Sequence, residues 1–331
     1  MDTSLPNRDV MDYLENRDGA PFPKVAIPSF GRCQEICQKT LRLLHDHGFR
    51  QQDIIVFVPN IKLKGQSENE FQRYRRPCRQ NGFKHVKIVK GGRQLLTQYG
   101  TIAKFFDEWQ YVLVMTDNVE NITIRESQRR ASASPVPLGL LLALTAHAWH
   151  VMVVCDTRCW SLQANKNPLN QTPGRVSCKF GLLDGNCYGV LNSKAKSMTL
   201  RVSNTTTDLE FSCRAWDQWG SFHRYLSLTA QKKYRSPGGL QRLSSVQRWR
   251  TTCRGVKALA KEFPHLVTYV PHKRTTYAGQ PYRLHHHGGN RCFQLKCLLQ
   301  NRGRPRAYRT SRPSTVRERV AAHRERLALS R

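Results

Sequence analysis

Short apolar runs alternate with amphipathic stretches through the first third of the chain. Four runs rich in β-forming residues predict buried strands: Lys24–Ser29, Asp53–Pro59, His85–Val89 and Tyr111–Met115. Apolar positions at helical spacing predict helices over 36–47 and 93–109, and the polar segment 66–80 is also expected to be helical. Strands that are apolar throughout and alternate with helices predict a parallel sheet covered on both faces.

The pattern changes in the second half of the chain. An apolar helix is expected after residues 132–137, and the run HVMVVCD (150–156) predicts a further strand. Short alternating runs over 170–230 favour antiparallel strands and hairpins. The predicted fold class is therefore α/β, with a Rossmann-type sheet and a mixed antiparallel second half.

Composition divides the chain into three parts. Residues 1–22 are polar and acidic and are predicted to form a flexible N-terminal segment, and 23–284 form the folded domain, with halves meeting near residue 130. Ten arginines fall between 302 and 331, so 285–331 is interpreted as a basic tail that is disordered or weakly helical.

Ligands of parallel α/β sheets bind beyond the carboxyl ends of the strands. This rule places four segments around one crevice: Pro28–Arg32, Pro59–Asn60, Lys90–Arg93 and Thr116–Asn118. The chain contains neither G-x-G-x-x-G after its first strand nor a G-x-x-x-x-G-K-[ST] motif, which disfavours dinucleotide binding and P-loop hydrolysis. Asp117, at the end of the fourth strand, is either a rigidly held metal ligand or a residue of the following turn.

The charge of the chain points to a polyanionic partner. The chain carries 54 Lys and Arg against 23 Asp and Glu, for a net charge of +31. From Arg214 onward there are 26 basic and four acidic residues. Arginine pairs with phosphate through two parallel hydrogen bonds, so nucleic acid is the favoured partner, whereas a GC-rich genome is the alternative explanation.

Compartment and cysteine usage favour the nucleus or the cytoplasm. No charged and apolar leader opens the sequence, and the longest apolar run, Val136–Ala143, is shorter than the roughly 18–20 residues of a membrane span. The 11 cysteines, an odd number without a dense framework, are typical of reduced thiols. His285–His287 with Cys292 and Cys297 lack the tight spacing of structural zinc sites, so a polar loop is the favoured interpretation.

Several stretches, taken in order, resemble one family. KVAIPSFGRCQEICQKTLRLLHDHGF, IIVFVPN, KIVKGGRQ and YVLVMTDNV are similar to the opening of the TET/JBP-associated glycosyltransferases. CRAWDQWGSFHRYLSLTAQKKYRSPGGLQ and EFPHLVTY resemble the C-terminal part of that family, so the similarity covers roughly 23–275. The resemblance implies a GT-A fold and the transfer of a hexose, glucose from its UDP conjugate, to hydroxymethylated pyrimidines in DNA.

The resemblance also implies which residues bind the nucleotide-sugar. Pro28, Ser29 and Arg32 match an opening I-P-S-x-x-R motif, and Lys90, Gly91, Gly92 and Arg93 match a basic-glycine loop. Small residues let a diphosphate approach the backbone, and the cations offset its charge as the sugar leaves.

The chain departs from the family at the end of the fourth strand. The family typically has three consecutive acids, whereas this chain has Thr116, Asp117 and Asn118. Asp117, with Asn118, is expected to anchor Mn²⁺ or Mg²⁺ and the donor UDP-glucose, but losing two charges weakens a site for a hard cation. Two alternatives stay open: another acid compensates, or the site has decayed.

Acidic residues further along the chain are candidates for that compensation and for a general base: Asp184, Asp208, Glu210 and Asp217. Asp208 and Glu210 are favoured as catalytic residues, because two residues apart on a strand they share a face, and the family has an acidic pair near this region.

The basic half supplies candidate contacts to DNA, which are Arg214, Arg224, Lys232, Lys233 and Arg235. The neighbouring aromatic residues, Trp216, Trp219, Phe222 and Tyr225, either stack on an extruded base or belong to the core. The leading hypothesis is thus a metal-dependent glycosyltransferase acting on DNA. A decayed, DNA-binding paralogue is the second hypothesis, and glycosylation of protein or lipid is a less favoured third. The sequence makes no prediction of oligomeric state.

Overall fold

The computed structural model describes residues 21–62, 67–127, 132–232, 243–271, 281–285 and 292–294. The strands in these ranges are β1 (Lys24–Pro28), β2 (Ile54–Pro59), β3 (Lys87–Gly91), β4 (Tyr111–Met115), β5 (Asn121–Ile124), β6 (Ser134–Pro135), β7 (Cys159–Gln163), β8 (Arg175–Ser177), β9 (Leu183–Leu191), β10 (His223–Tyr225), β11 (Leu228–Gln231), β12 (Val267–Tyr269), β13 (Tyr282–Leu284) and β14 (Cys292–Gln294). The helices are α1 (Arg42–Asp46), α2 (Glu70–Gln80), α3 (Leu95–Phe105), α4 (Leu140–Cys155), α5 (Thr207–Trp219) and α6 (Ser245–Glu262).

The centre of the fold is a mixed sheet, which has nine strands in the described ranges. Its order is β14-β8-β10-β7-β9-β4-β1-β2-β3. Strands β1 to β4 are mutually parallel where they pair, and β9 runs antiparallel between β4 and β7. The predicted α/β class with a mixed second half is confirmed. Because β1 to β4 are parallel, their carboxyl ends meet at one edge of the sheet, as the crevice hypothesis requires.

Helices cover both faces of this sheet. On one face, Val25 and Leu113 pack in a core that also contains Tyr74 of α2 and Leu141 of α4. On the other face, Phe57 packs with residues of and next to α3. The central strands β1, β2 and β4 are therefore buried on both sides, which explains why they lack an alternating pattern, whereas β3, at the end of the described sheet order, has exposed lysines.

One predicted strand is wrong. The run 150–156 belongs to α4, which continues to Cys155 and ends at Asp156 in the left-handed conformation. A continuous apolar run fits a buried helix as well as a buried strand, and length decides between them. Here the preceding apolar residues extend the helix to 16 residues, and the strand β7 begins only at Cys159.

The antiparallel strands predicted for the second half are confirmed by β8, β9 and β10. Two smaller sheets, β11-β5-β6 and β12-β13, lie beside the main one. The strand β14, which falls inside the segment predicted to be a basic tail, pairs with β8. In the described residues, no helix has the length and apolar character needed to cross a membrane.

Gly189 gives a test of the packing between β7 and β9. It lies opposite Trp160, and a Cβ added to it would be 2.0 Å from the indole Nε1, which donates to the Tyr111 hydroxyl. We expect Gly189→Ala to lower the free energy of unfolding by roughly 1–3 kcal/mol, because overpacking displaces a fixed indole. Urea denaturation measures this change.

The matched control is Gly100→Ala in α3, where an added Cβ meets no heavy atom within 4 Å. Alanine is the better helix former, so this variant should gain up to about 1 kcal/mol. Equal denaturation midpoints for the two variants would contradict the packing described here.

Candidate functional site

The predicted strand-end acid lies in a buried polar network at the ends of β1 and β4. Ser29 Oγ donates to Asp117 Oδ2 at 2.6 Å, and Arg32 Nη1 donates to Asp117 Oδ1 at 2.6 Å. The side chains of Asp117 and Arg32 are only 4% and 11% exposed. The structure thus brings three predicted residues together, and both oxygens of the carboxylate are already bound.

Helices from both faces hold this network in place. The Tyr74 hydroxyl of α2 lies 2.8 Å from Ser29 Oγ and accepts the backbone N–H of Arg32 at 2.9 Å. Gln98 of α3 donates to the Ser29 carbonyl at 3.2 Å. Burial raises the pKa of Tyr74, and the negative charge of Asp117 adds to the rise. The loop after β1 is therefore fixed before any ligand binds.

The donor set at Asp117 does not fit a divalent cation. Mg²⁺ and Ca²⁺ need several oxygen ligands with free lone pairs, and carboxylates dominate such sites. Asp117 is 3% exposed and Asn118 is 5% exposed. Within the ranges that the structure describes, no three His, Cys, Asp or Glu side chains form a group able to hold a metal. Arg32 provides the positive charge beside Asp117 in this arrangement.

The predicted basic-glycine loop begins within β3, which includes Lys90 and Gly91, and continues through Gly92 and Arg93 on the same edge of the sheet. In the sheet order β3 is separated from β4 by β2 and β1, so three strand spacings, about 14 Å, lie between their ends. The Lys90 ammonium is 5.9 Å from the centroid of the Phe71 ring in α2. A Cβ on Gly92 would be 2.4 Å from the Thr97 carbonyl carbon, so packing against α3 requires glycine there. The loop borders the crevice at the side away from Asp117.

The strand β9 brings a second set of polar groups to the crevice. It runs antiparallel to β4, with Cys187 opposite Met115, so its first residues lie where β4 ends. The Thr116 N–H donates to the Asn186 carbonyl at 3.1 Å, and the Asn186 N–H donates to Asp184 Oδ1 at 3.1 Å. Asn186 thus links Asp184 to Thr116, the residue that follows β4.

Asp208 completes a pair of carboxylates with Asp184. It lies in the first turn of α5, and its carboxylate approaches Gly185 so closely that a Cβ there would be 2.2 Å from Oδ1. The Gly185 backbone N–H donates to this carboxylate. Asp208 is an exposed residue by its accessible surface, yet its carboxylate faces a narrow cleft lined by Tyr99 and Tyr188.

Loss of hydration raises the pKa of both acids. Burial raises the pKa of Asp208, and the Lys232 ammonium partly offsets this rise. Burial also raises the pKa of Asp184 to about 7, with a further contribution from the charge of Asp208. A carboxylate with a raised pKa takes up a proton at neutral pH more readily, which is the property that a general base requires.

The positive charges of two lysines, Lys166 and Lys232, lie near these acids. Lys232, predicted as a DNA contact, donates its ammonium to Asn186 Oδ1 within the crevice. Burial lowers the pKa of Lys166 to about 8, and the neighbouring Lys232 charge lowers it further. Lys166 and Asn186 were not selected from the sequence, because the Lys232 and Thr116 that lie beside them are distant in the chain and no motif joins them.

The prediction that Glu210 shares a face with Asp208 is wrong, because the segment is helical. Two residues along a helix differ by roughly 200° in direction, so the two side chains diverge. Glu210 is fully buried and accepts the backbone N–H groups of Arg201 and Val202 at 2.7 and 2.9 Å. Its remaining partner is the Arg214 guanidinium, at 2.7 Å. These contacts give Glu210 a structural role, away from the crevice.

Arg214 occupies the same buried cluster. It is 3% exposed and pairs with Glu210 and with Glu262, the latter at 3.1 Å. This location does not support the predicted contact with DNA. Lys233 and Arg235 lie outside the described residues, and Arg224 lines a separate cavity.

The aromatic residues near α5 mostly belong to the core. Trp216 and Phe222 have their ring centroids 5.4 Å apart, and Phe180 packs against both. Tyr225 is fully buried. Of the two interpretations of these rings, core packing is the one that the contacts support. The remaining candidate acid, Asp217, is exposed on α5 with His265 at 3.6 Å.

Comparison with known proteins gives similarity to solved structures. One is the crystal structure of S. aureus TarS 1-349, with 10% identity and a TM-score of 0.38. The match covers 71% of this chain and 64% of that chain, so this chain spans less than two thirds of the length of TarS 1-349. Another is the mannosyltransferase PcManGT from Pyrobaculum calidifontis in complex with GDP-Man and Mn²⁺, with 9% identity and a TM-score of 0.39, over 76% of this chain and 70% of that chain. No protein-family model and no curated protein matches the sequence.

Proposed function

We propose that this protein is a glycosyltransferase that moves a hexose from a nucleotide-sugar to the hydroxyl group of a hydroxymethyl-pyrimidine in DNA. The observation that carries the proposal is the position of the Asp208 carboxylate, which packs against Gly185 beside Asn186, the residue whose carbonyl accepts the Thr116 N–H at the end of β4. The sequence resemblance supplies the sugar, UDP-glucose as donor, and the modified base. The net charge of +31 supports a nucleic-acid acceptor.

The proposed reaction needs a proton acceptor and a stabilised leaving group. Asp208 takes the proton from the acceptor hydroxyl, whose oxygen forms a bond to the anomeric carbon of the sugar. The bond from that carbon to the diphosphate oxygen breaks, and the nucleoside diphosphate leaves with the electron pair. The Lys232 ammonium offsets part of the rise in the pKa of Asp208 that burial causes, and so favours the ionised form that acts as a base.

On the donor side, the fixed loop after β1 provides Ser29 and Arg32. Arg32 is anchored by Asp117, so its charge is positioned without reorganisation when the diphosphate binds. Lys90 and Arg93, on the exposed end of β3, are proposed to offset the remaining charge of the donor. Metal dependence stays a prediction from the resemblance, and no step above requires a metal.

Replacing Asp117 tests this donor site. Asp117→Asn keeps the size of the side chain but removes the charge that holds Arg32, so we expect the affinity for UDP-glucose to fall about tenfold. Isothermal titration of the donor, with and without Mn²⁺, measures the change.

Asp107→Asn is the control for Asp117→Asn, because Asp107 is an exposed residue outside the crevice. It should bind the donor like the unaltered protein. Unchanged donor affinity in a folded Asp117→Asn protein would remove Asp117 and Arg32 from the proposed site.

Activity is tested by donor consumption with hydroxymethylated and unmodified DNA. We expect release of nucleoside diphosphate only with the hydroxymethylated acceptor, and reactions in Mn²⁺, in Mg²⁺ and in a chelator test the predicted metal dependence. Consumption with a protein or lipid acceptor instead of DNA would contradict the proposed acceptor.

A second candidate function is DNA binding by a decayed relative of such an enzyme. The buried Asp117, with both oxygens occupied, favours it because a donor site that lost its open carboxylates is expected to lose turnover. This candidate predicts salt-sensitive DNA binding without donor consumption. Detectable sugar transfer would eliminate it.

A further inference from the structure

A second cavity, separate from the carboxylate cleft, opens beside β8 and β10. Its volume is about 360 Å³, within the range of small-ligand sites. Three cations line it, Arg175, Lys179 and Arg224, together with apolar side chains that include Phe180 and Leu226. None of the described residues that line the cavity is acidic. Its composition matches a ligand with an anionic group joined to an apolar body.

The guanidinium of Arg224 has few partners among the described residues. Its Nε atom is buried without a hydrogen-bond partner in the described residues, and Nη2 reaches only the Lys179 carbonyl, at 3.4 Å. In those residues no carboxylate lies within ion-pair distance of it. Burial lowers the pKa of Arg224 to about 10, so the guanidinium is still charged at neutral pH. A buried cation without an anion is unfavourable, and an anionic ligand removes that penalty.

The backbone next to the cavity is shaped around this guanidinium. A Cβ added to Gly181 would be 2.5 Å from the Arg224 Cζ atom. Any other residue at Gly181 therefore displaces the guanidinium. Because the contact is to the far end of a flexible side chain, the substitution moves the charge while sparing the surrounding core.

The cavity is also close to the carboxylate cleft along the chain. Gly181 and Leu182 line the cavity, and Leu183 and Gly185 line the cleft that contains Asp208. Three extended residues span at most about 11 Å, so the Cα atoms of Gly181 and Asp184 lie no farther apart than this. A single acceptor molecule is long enough to contact both places.

We propose that this cavity binds a phosphate group of the nucleic-acid acceptor. The proposal rests on the proposed function and extends it, since it assigns Arg224 and Lys179 to the strand that carries the modified base. The guanidinium makes two parallel hydrogen bonds to phosphate oxygens, and Lys179 adds a point charge. The apolar wall accommodates the adjoining sugar or base.

The test is the binding of a fluorescent single-stranded oligonucleotide to the full-length protein, by anisotropy over a series of salt concentrations. Arg224→Gln is expected to weaken binding about tenfold and to reduce the slope of log K against log salt by about 1. Gly181→Ala, which keeps the arginine but moves it, should weaken binding in the same direction. Arg79→Gln, an exposed arginine in the last turn of α2, is the matched control for the loss of one positive charge.

Free deoxycytidine 5′-monophosphate and inorganic phosphate are used as competitors. Comparing them shows whether the cavity recognises the phosphate of a nucleotide or free phosphate. A competitor that displaces the oligonucleotide from the unaltered protein, but loses this effect in Arg224→Gln, supports the assigned site. If Arg224→Gln and Gly181→Ala both bind the oligonucleotide like Arg79→Gln, the proposal is overturned.

The two proposals fail separately. A protein that transfers sugar while its cavity variants bind DNA like the control loses the phosphate site and keeps the activity. A protein whose binding depends on Arg224, but which never consumes a donor, keeps the phosphate site and loses the transferase function.

Discussion

Asp208→Asn is expected to lower the rate of sugar transfer roughly 10²–10⁴-fold, the usual contribution of a positioned general base. The amide matches the carboxylate in size and accepts the Gly185 N–H, but it does not take a proton from the acceptor. Donor affinity and the urea midpoint should stay close to those of the unaltered protein. Single-turnover kinetics with hydroxymethylated DNA separate this effect from binding.

Asp217→Asn is the matched control for Asp208→Asn, because it removes an exposed carboxylate from the same helix. It should transfer sugar at the unaltered rate. A folded Asp208→Asn protein with full activity would show that another group accepts the proton.

The pH dependence of the unaltered enzyme follows from the direction of the pKa shift. The base acts as a carboxylate, so the rate should rise with pH as Asp208 loses its proton. Burial raises the pKa of Asp208, which moves this rise above the usual range of aspartate, near 3.9. Asp184, with a pKa raised to about 7, titrates together with its neighbour, so the profile reports the pair.

Glu210→Ala, unlike Asp208→Asn, is expected to cause a large loss of stability. It removes the acceptor of two backbone N–H groups and leaves the buried Arg214 with the partly exposed Glu262 carboxylate and the Ser197 carbonyl as partners. Breaking a buried ion pair from one side typically costs about 3–5 kcal/mol, so the urea midpoint should fall sharply. Chemical denaturation followed by circular dichroism measures this loss.

Comparing Glu210→Ala with Asp208→Asn decides which of the two acids is catalytic and which is structural. Asp208→Asn should lose activity and keep stability, whereas Glu210→Ala should lose stability and transfer sugar normally in the fraction that remains folded. A Glu210→Ala protein of unchanged stability but without activity would restore Glu210 as a catalytic candidate.

The parallel half of the fold was predictable because its strands are short, apolar and separated by helices with clear spacing. The run 150–156 was assigned wrongly because continuous apolar residues fit a buried helix and a buried strand equally well. The same ambiguity affected Glu210, whose spacing from Asp208 has opposite meanings on a strand and on a helix. A local pattern locates a secondary-structure element, but it does not always decide whether that element is a helix or a strand.

The candidate site was predictable only for residues that a strand end or a recognisable motif marks in the sequence. Ser29, Arg32 and Asp117 were selected from strand ends, and the structure joins them directly. Asn186 and Lys166 were not selected, because their importance comes from contacts between segments far apart in the chain. Such long-range pairing of polar groups leaves no periodic trace in the sequence.

Mass spectrometry of nucleosides shows whether this protein adds a hexose to a modified base. Hydroxymethylated DNA is incubated with the protein and a mixture of sugar donors, then digested and analysed. We expect a hydroxymethyl-pyrimidine nucleoside heavier by one hexose, formed by the unaltered protein and by Asp217→Asn but lost in Asp208→Asn. DNA that stays unmodified in the presence of folded protein and every donor would contradict the proposed function.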